Sequence, residues 1–212
     1  MELIAQIMDV FLHLDSYLGG FIRDYGSWIY LLLFLIVFAE TGLVVMPFLP
    51  GDSLLFVTGT LAAAGGMDVG WIVATLIAAA FCGDNTNYWV GHHLGPKVFR
   101  NHRSRFLNPG HLEKAQHFYA RHGGKTVVIG RFLPIIRTFA PFVAGVGRMP
   151  YGRFLAYSIS GTLLWVVSFV LAGYFFGNIP VVKRNLTFVI LLIIVVSLLP
   201  GIIEYWRHRR RR

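Results

Sequence analysis

Lysine and arginine are missing from the whole stretch between Arg23 and Lys97. A water-facing surface of that length needs charge, so the gap excludes an ordinary soluble domain there. Charged residues make up only 14% of the 212, against 56% hydrophobic ones, the balance of a chain that meets lipid. Cysteine is nearly absent. Cys82 is the only one, so no disulfide framework can form within the chain, and its apolar neighbours predict a small buried residue. Metal-ligand spacing is also lacking. His111, His117 and His122 stand six and five residues apart, not the four that puts two ligands on one helix face, and His92 and His93 point apart. Neither a metal nor another cofactor is expected.

The basic residues that do occur are clustered. Seven of the nineteen lie between Lys97 and Lys125, and five more between Arg207 and Arg212. Clusters flanking apolar spans read as cytoplasmic loops and tails, so the net charge of +9 reports orientation and headgroup contact rather than nucleic-acid binding. The N-terminus lacks a signal peptide's basic n-region and cleavage site and is expected to persist. Residues 2–24 instead place Glu2, Gln6, Asp9 and His13 on one stripe and Leu3, Ile7, Val10 and Leu18 on the other. This is an amphipathic helix that packs against the bundle.

Fold class follows from the apolar runs: an all-α polytopic membrane protein with a single membrane domain over 25–206. Residues 28–65 form a hairpin broken by Pro47, Pro50 and Gly51. Its second arm is only about a dozen residues, too short for the roughly 20 that a span needs, and is read as re-entrant. Residues 70–94 make a full span, and the basic loop 96–125 carries a short helix starting at Asn108 and Pro109. Residues 125–149 repeat the hairpin theme, broken by Pro134 and Pro141, and the spans 154–176 and 185–203 follow before the tail 207–212. The total is about three full transmembrane helices beside the two hairpins. Phe48-Leu49-Pro50 and Phe132-Leu133-Pro134 stand 84 residues apart, as do Pro96 and Pro180. Such paired broken helices match transporters built from inverted repeats, whose substrates bind near the midplane. The basic loop puts the second hairpin's ends in the cytoplasm, so the first opens from outside.

Charge inside these runs is costly unless paired or wetted, and it marks a pathway by default. Four residues qualify: Glu40 and Asp52 in the first hairpin, Arg131 and Arg137 around Pro134. Asp52 also suits the cap of a helix beginning there. Glu40 has no such role; burial favours the protonated form of a carboxylate, which suits a group that takes up and releases protons. Arg131 and Arg137 stay charged and clamp phosphate with two donors each. They also neutralise the two acids in a static network, and protonation of Glu40 or Asp52 would release them. Pro50, Gly51, Ser53, Asp84, Tyr88, Pro134 and Pro141 are expected to line the cavity. Asp84, Tyr88, Gly91 and Gly95 recur on one helix face, and Gly91 with Gly95, like Gly173 with Gly177, signals close helix packing.

At FAETG, PFLPGDS, GDNTNYWVGHHLG and HGGKTVVIGRFLPIIRTFAPFVAGVGRMPYGRF the sequence resembles the DedA family of bacterial inner-membrane proteins, also called VTT-domain or SNARE-associated proteins. The resemblance covers nearly the whole chain. It implies paired re-entrant hairpins, movement of lipids across the membrane with undecaprenyl phosphate or phospholipid as substrate, and dependence on the proton motive force. The family's acidic pair falls on Glu40 and Asp52 and its arginine pair on Arg131 and Arg137. The partners expected are lipid, protons and the membrane, with a homo-oligomer left open. Two other readings stand beside this one. A nonselective scramblase would use the same groove without coupling. A polyprenyl pyrophosphate phosphatase would need more than Asp52-Ser53 as a nucleophile, and the sequence has neither a second glutamate at helical spacing from Glu40 nor a Ser-Gly-His signature, so an enzyme is not expected.

Overall fold

A computed structural model of the chain describes residues 14–43, 51–98 and 124–196. The tip Pro47–Pro50, most of the basic loop, the first half of the amphipathic segment and the basic tail lie outside the described residues. Among those described, every regular element is a helix. In chain order they are α1 (Leu14–Tyr25), α2 (Trp28–Gly42), α3 (Gly51–Ala63), α4 (Val69–Val98), α5 (Lys125–Gly130), α6 (Pro134–Val146), α7 (Tyr151–Phe176) and α8 (Pro180–Arg184). The apolar α9 (Leu186–Val196) follows. The continuation of the expected span 185–203 falls outside the described residues.

Helix length sorts these elements. Val69–Leu94 and Tyr151–Phe176 are long and apolar enough to cross a membrane. By contrast α3 and α6 have 13 residues each, about 20 Å at 1.5 Å per residue, well short of the ~30 Å hydrocarbon core. Large apolar side chains such as Leu31, Leu35, Leu163, Leu164 and Phe188 are exposed. So much outward apolar surface suits a lipid solvent. Cys82 is exposed on α4, which corrects the expectation of burial: apolar neighbours along the sequence occupy every face of a helix and do not decide which one turns inward.

The chain forms two compact units. Unit 1 contains residues 1–36, 49–77 and 165–212, and unit 2 contains 37–48 and 78–164. In unit 1, α1 packs against α3 with Leu18 buried, as the amphipathic pattern predicts. Residues 51–60 of α3 are all buried. In unit 2, the core gathers Tyr88, Val127, Ala144, Met149 and Phe154, with the Tyr88 and Phe154 rings stacked at 4.4 Å.

Each unit is built on the same helix crossing. In unit 1 a side chain at Gly59 of α3 would strike the Val170 carbonyl of α7, and one at Gly173 of α7 would strike the Phe56 carbonyl of α3. In unit 2 Gly145 of α6 meets the Tyr88 carbonyl of α4, and Gly91 of α4 meets the Phe142 carbonyl of α6. Both crossings therefore pair a short helix with a long one through reciprocal glycines that let backbones touch. The short helices carry matching sequences, Phe56-Val57-Thr58-Gly59 and Phe142-Val143-Ala144-Gly145. They also end alike. After α3 the Gly66 amide bonds to the Leu61 carbonyl and Gly65 to Ala62; after α6 Met149 bonds to Ala144 and Arg148 to Gly145. This is the Schellman cap, with Gly65 at φ +82° and Arg148 at φ +52° in the left-handed position.

Pro141 does not break its hairpin. It sits inside α6, which runs unbroken from Pro134 to Val146, whereas the sequence predicts an interruption. The ring removes one ladder bond, the one an amide at 141 would give to the Arg137 carbonyl, and the helix continues through that loss. Pro134 behaves as expected, starting α6 after the extended residue Leu133, because proline is suited to a helix's first turn and forces its predecessor out of the helical region.

Candidate functional site: two buried arginine–carboxylate pairs

Glu40 lies in the last turn of α2, a helix with no basic residue in that turn. A helix C-terminus carries the negative end of the macrodipole, so an anion there needs neutralising from elsewhere. Arg137 does this from the first turns of α6, pairing with Glu40. Both are buried, at 0% and 3% exposure.

Arg131 follows α5 directly and pairs with Asp84 of α4. From α7 the Ser158 hydroxyl donates to the same Asp84 oxygen, Oδ2, at 2.6 Å. One turn farther along α7, Gly161 leaves room for the Arg131 stem, whose Cδ stands 3.3 Å from where a Cβ would be. Asp84 is fully buried and Arg131 is 1% exposed. The sequence lets Asp84 line a cavity and foresees Glu40 and Asp52 as the arginines' internal partners. The structure makes Asp84 a full member of the charged set.

Asn87, one turn beyond Asp84, ties the two ion pairs into one framework. Its side-chain amide donates to the Thr41 carbonyl at 3.2 Å and to the Thr138 carbonyl at 2.6 Å. Those carbonyls belong to the residues immediately after Glu40 and Arg137, so a single buried amide registers the end of α2 against α6. Tyr88, the next residue, donates its hydroxyl to the Met149 carbonyl at 2.6 Å and braces the cap of α6. Asp84, Tyr88 and Gly91 do share one helix face, and it packs on α5, α6 and α7.

Asp52 belongs to unit 1. It occupies the first turn of α3, where the helix dipole favours an anion, and it accepts a 2.8 Å bond from the Trp165 indole. Gly51 and Ser53 beside it are buried, and Ser53 points its hydroxyl at the Ile190 carbonyl, 3.5 Å away. Pro50 lies outside the described residues. Trp165 and Ser158 carry no signal in the sequence: one is an aromatic in an apolar span, the other one of several small hydroxyls in α7.

Residues 49–175 match the VTT domain family. Over nearly its full length the chain is also 52% identical to Protein DedA of Escherichia coli K12, covering 99% of this chain and 97% of that protein. The chain belongs to the DedA family. An uncharacterized membrane protein of Mycobacterium leprae is 42% identical over 82% of this chain and 78% of its own length. Inner membrane protein YqjA of E. coli is 35% identical over 82% of this chain and 80% of its own length. No solved structure matches. Together with its long apolar helices, these relatives make the chain a membrane protein of the DedA family.

Proposed function

We propose that this chain carries lipid across the bacterial inner membrane, coupling the proton motive force to translocation of undecaprenyl phosphate, and that it acts as a carrier and not as an enzyme. The observation behind this reading is the pair of arginines buried in unit 2, each held by a fully buried carboxylate. Permanent cations are expensive at such a site, and their planar forks suit a phosphate. Arg131 and Arg137 bracket the first turn of α6, where the positive end of the helix dipole adds to the attraction for an anion.

In this scheme α3 and α6 are the second arms of re-entrant hairpins in inverted orientation, too short to span alone. The loop 96–125 and the tail 207–212 face the cytoplasm. The phosphate headgroup enters at Arg131 and Arg137 while the polyprenyl tail stays in lipid. Protonation of Glu40 loosens Arg137 for the phosphate. Asp52 is a second protonatable group, held in unit 1 by Trp165. The burial of Ser53 and the engagement of Asp52 with the indole favour the carrier over a phosphatase.

The deciding experiment is movement of labelled undecaprenyl phosphate in proteoliposomes, with and without a pH gradient. Gradient-accelerated transport of that lipid supports the reading. Equal exchange of unrelated phospholipids, indifferent to the gradient, replaces it with a scramblase, and release of phosphate from undecaprenyl pyrophosphate replaces it with an enzyme.

A further inference from the structure

Asp84 has two oxygens in unlike surroundings. Oδ2 takes both donors, from Arg131 and from Ser158. Oδ1 is buried, and among the described residues no donor reaches it. Arg131 and Ser158 stabilise the carboxylate through Oδ2, while Oδ1, desolvated and unserved, forfeits the hydration it had in water. A proton on Oδ1 supplies what is missing. It neutralises the carboxyl while Ser158 keeps its bond to Oδ2, and it removes the charge that holds Arg131.

We propose that Asp84 is a proton-binding site, taking its proton on Oδ1, and that this proton controls the availability of Arg131 for an anionic ligand. The proposal deepens the carrier reading and rests on it only for the last step. It gives each arginine its own protonatable partner: Glu40 for Arg137 and Asp84 for Arg131. Among the described residues, the buried ionisable groups of unit 2 beside Asp84 are Arg131 at the end of α5, Glu40 on α2, Arg137 on α6, and Tyr88 one turn along α4 itself, with His92 Nδ1 buried a further turn on; Ser158 is what α7 presents to it. Asn87, adjacent on the same helix, is fixed by its two carbonyl partners and cannot turn its amide to serve Oδ1 without giving them up.

The test labels the full-length protein in proteoliposomes with dicyclohexylcarbodiimide, which modifies protonated carboxyls in apolar surroundings, across a pH series, with the adduct located by peptide mapping. Asp84 is expected to be labelled at acid pH and spared at alkaline pH. Mapping separates its adduct from one at Glu40. Ser158→Ala deletes one donor to Oδ2, which matters most to the ionised form, so labelling should extend about one pH unit farther toward alkali. Asp84→Asn should abolish that adduct and leave any at Glu40. Should Asp84→Asn fail to fold, Ser158→Ala still decides the matter. Absence of an Asp84 adduct at every pH at which the protein stays folded overturns the proposal, as does labelling insensitive to pH and to Ser158. The readout needs no transport. If the parent protein moves no lipid yet shows the pH-dependent Asp84 adduct, the carrier reading fails and the proton site stands.

Discussion

Arg131 and Asp84, 47 residues apart in sequence, meet as a buried ion pair that no motif announces. The pairing changes what a substitution at either position does. Removing one partner of a buried pair leaves the other charge uncompensated, at a cost of about 3–5 kcal/mol. Arg131→Ala should therefore unfold the protein more readily than it reveals a transport role, and informative variants keep the charge or its shape.

Lysine is the informative replacement at both arginines. Arg131→Lys and Arg137→Lys keep the charge opposite Asp84 and Glu40 but lose the two-donor fork. Each should leave the protein in the membrane at normal levels and reduce lipid movement at least tenfold. Complementation and proteoliposome exchange at matched protein levels check this, and full activity from both variants would remove the phosphate clamp.

Glu40→Gln separates a coupled carrier from a scramblase. Glutamine keeps the shape and an acceptor for Arg137 while fixing the site in a neutral state. Exchange at equal pH should survive, and acceleration by an acidified exterior should fall, since Glu40 no longer has two protonation states with which to transmit the gradient to Arg137. Asp52→Asn should be milder, costing about 1 kcal/mol in helix-end stabilisation, because asparagine still accepts from the Trp165 indole. A gradient response in Glu40→Gln equal to that of the parent would exclude Glu40 as the coupling site.

Asn87→Asp tests the framework that joins the pairs. The change removes the only two donors the side chain gives and sets an anion against the carbonyls of Thr41 and Thr138. A loss of about 2 kcal/mol or more is expected for the unsatisfied buried groups, seen as a lower thermal midpoint in detergent. A midpoint within error of the parent would show that the two carbonyls find other donors.

The crossings make a paired prediction. Gly59→Ala, Gly145→Ala and Gly173→Ala each drive a methyl into a backbone carbonyl, which cannot move aside as a side chain could, and should cost about 1–3 kcal/mol apiece. Gly20→Ala on α1 meets nothing within 4 Å and should stabilise by about 0.5–1 kcal/mol through helix propensity. Thermal melting of the four variants in one detergent compares them directly.

Helices, the short second arm of the first hairpin and the costly charges at Glu40, Asp52, Arg131 and Arg137 are legible in the sequence, because hydropathy and proline placement are local signals. The one-face pattern of Asp84, Tyr88 and Gly91 is local too. Which acid meets which base is not: Glu40 with Arg137 and Arg131 with Asp84 depend on how α2, α4 and the start of α6 pack, and spacing says nothing about that. Pro141 misleads because a proline removes a single ladder bond, and whether the helix ends there or runs on is decided by its packing. The duplicated Phe-Val-x-Gly segments escape notice beside the Phe-Leu-Pro pair because their spacing differs from that pair's 84 residues. Their meaning emerges only when both glycines are found touching a carbonyl.

Those glycine contacts also bear on motion. Most helix interfaces slide by exchanging side-chain rotamers, as knobs find neighbouring holes. A joint of backbone against backbone offers no rotamers to exchange: drawing it apart forfeits van der Waals contact at once, and pressing it together is impossible. The end of α7 should therefore travel with α3, and the later part of α4 with α6, each couple acting as one stiff lever. A conformational cycle that flexes this protein must find its hinges outside the two joints, where turns and side chains still have slack.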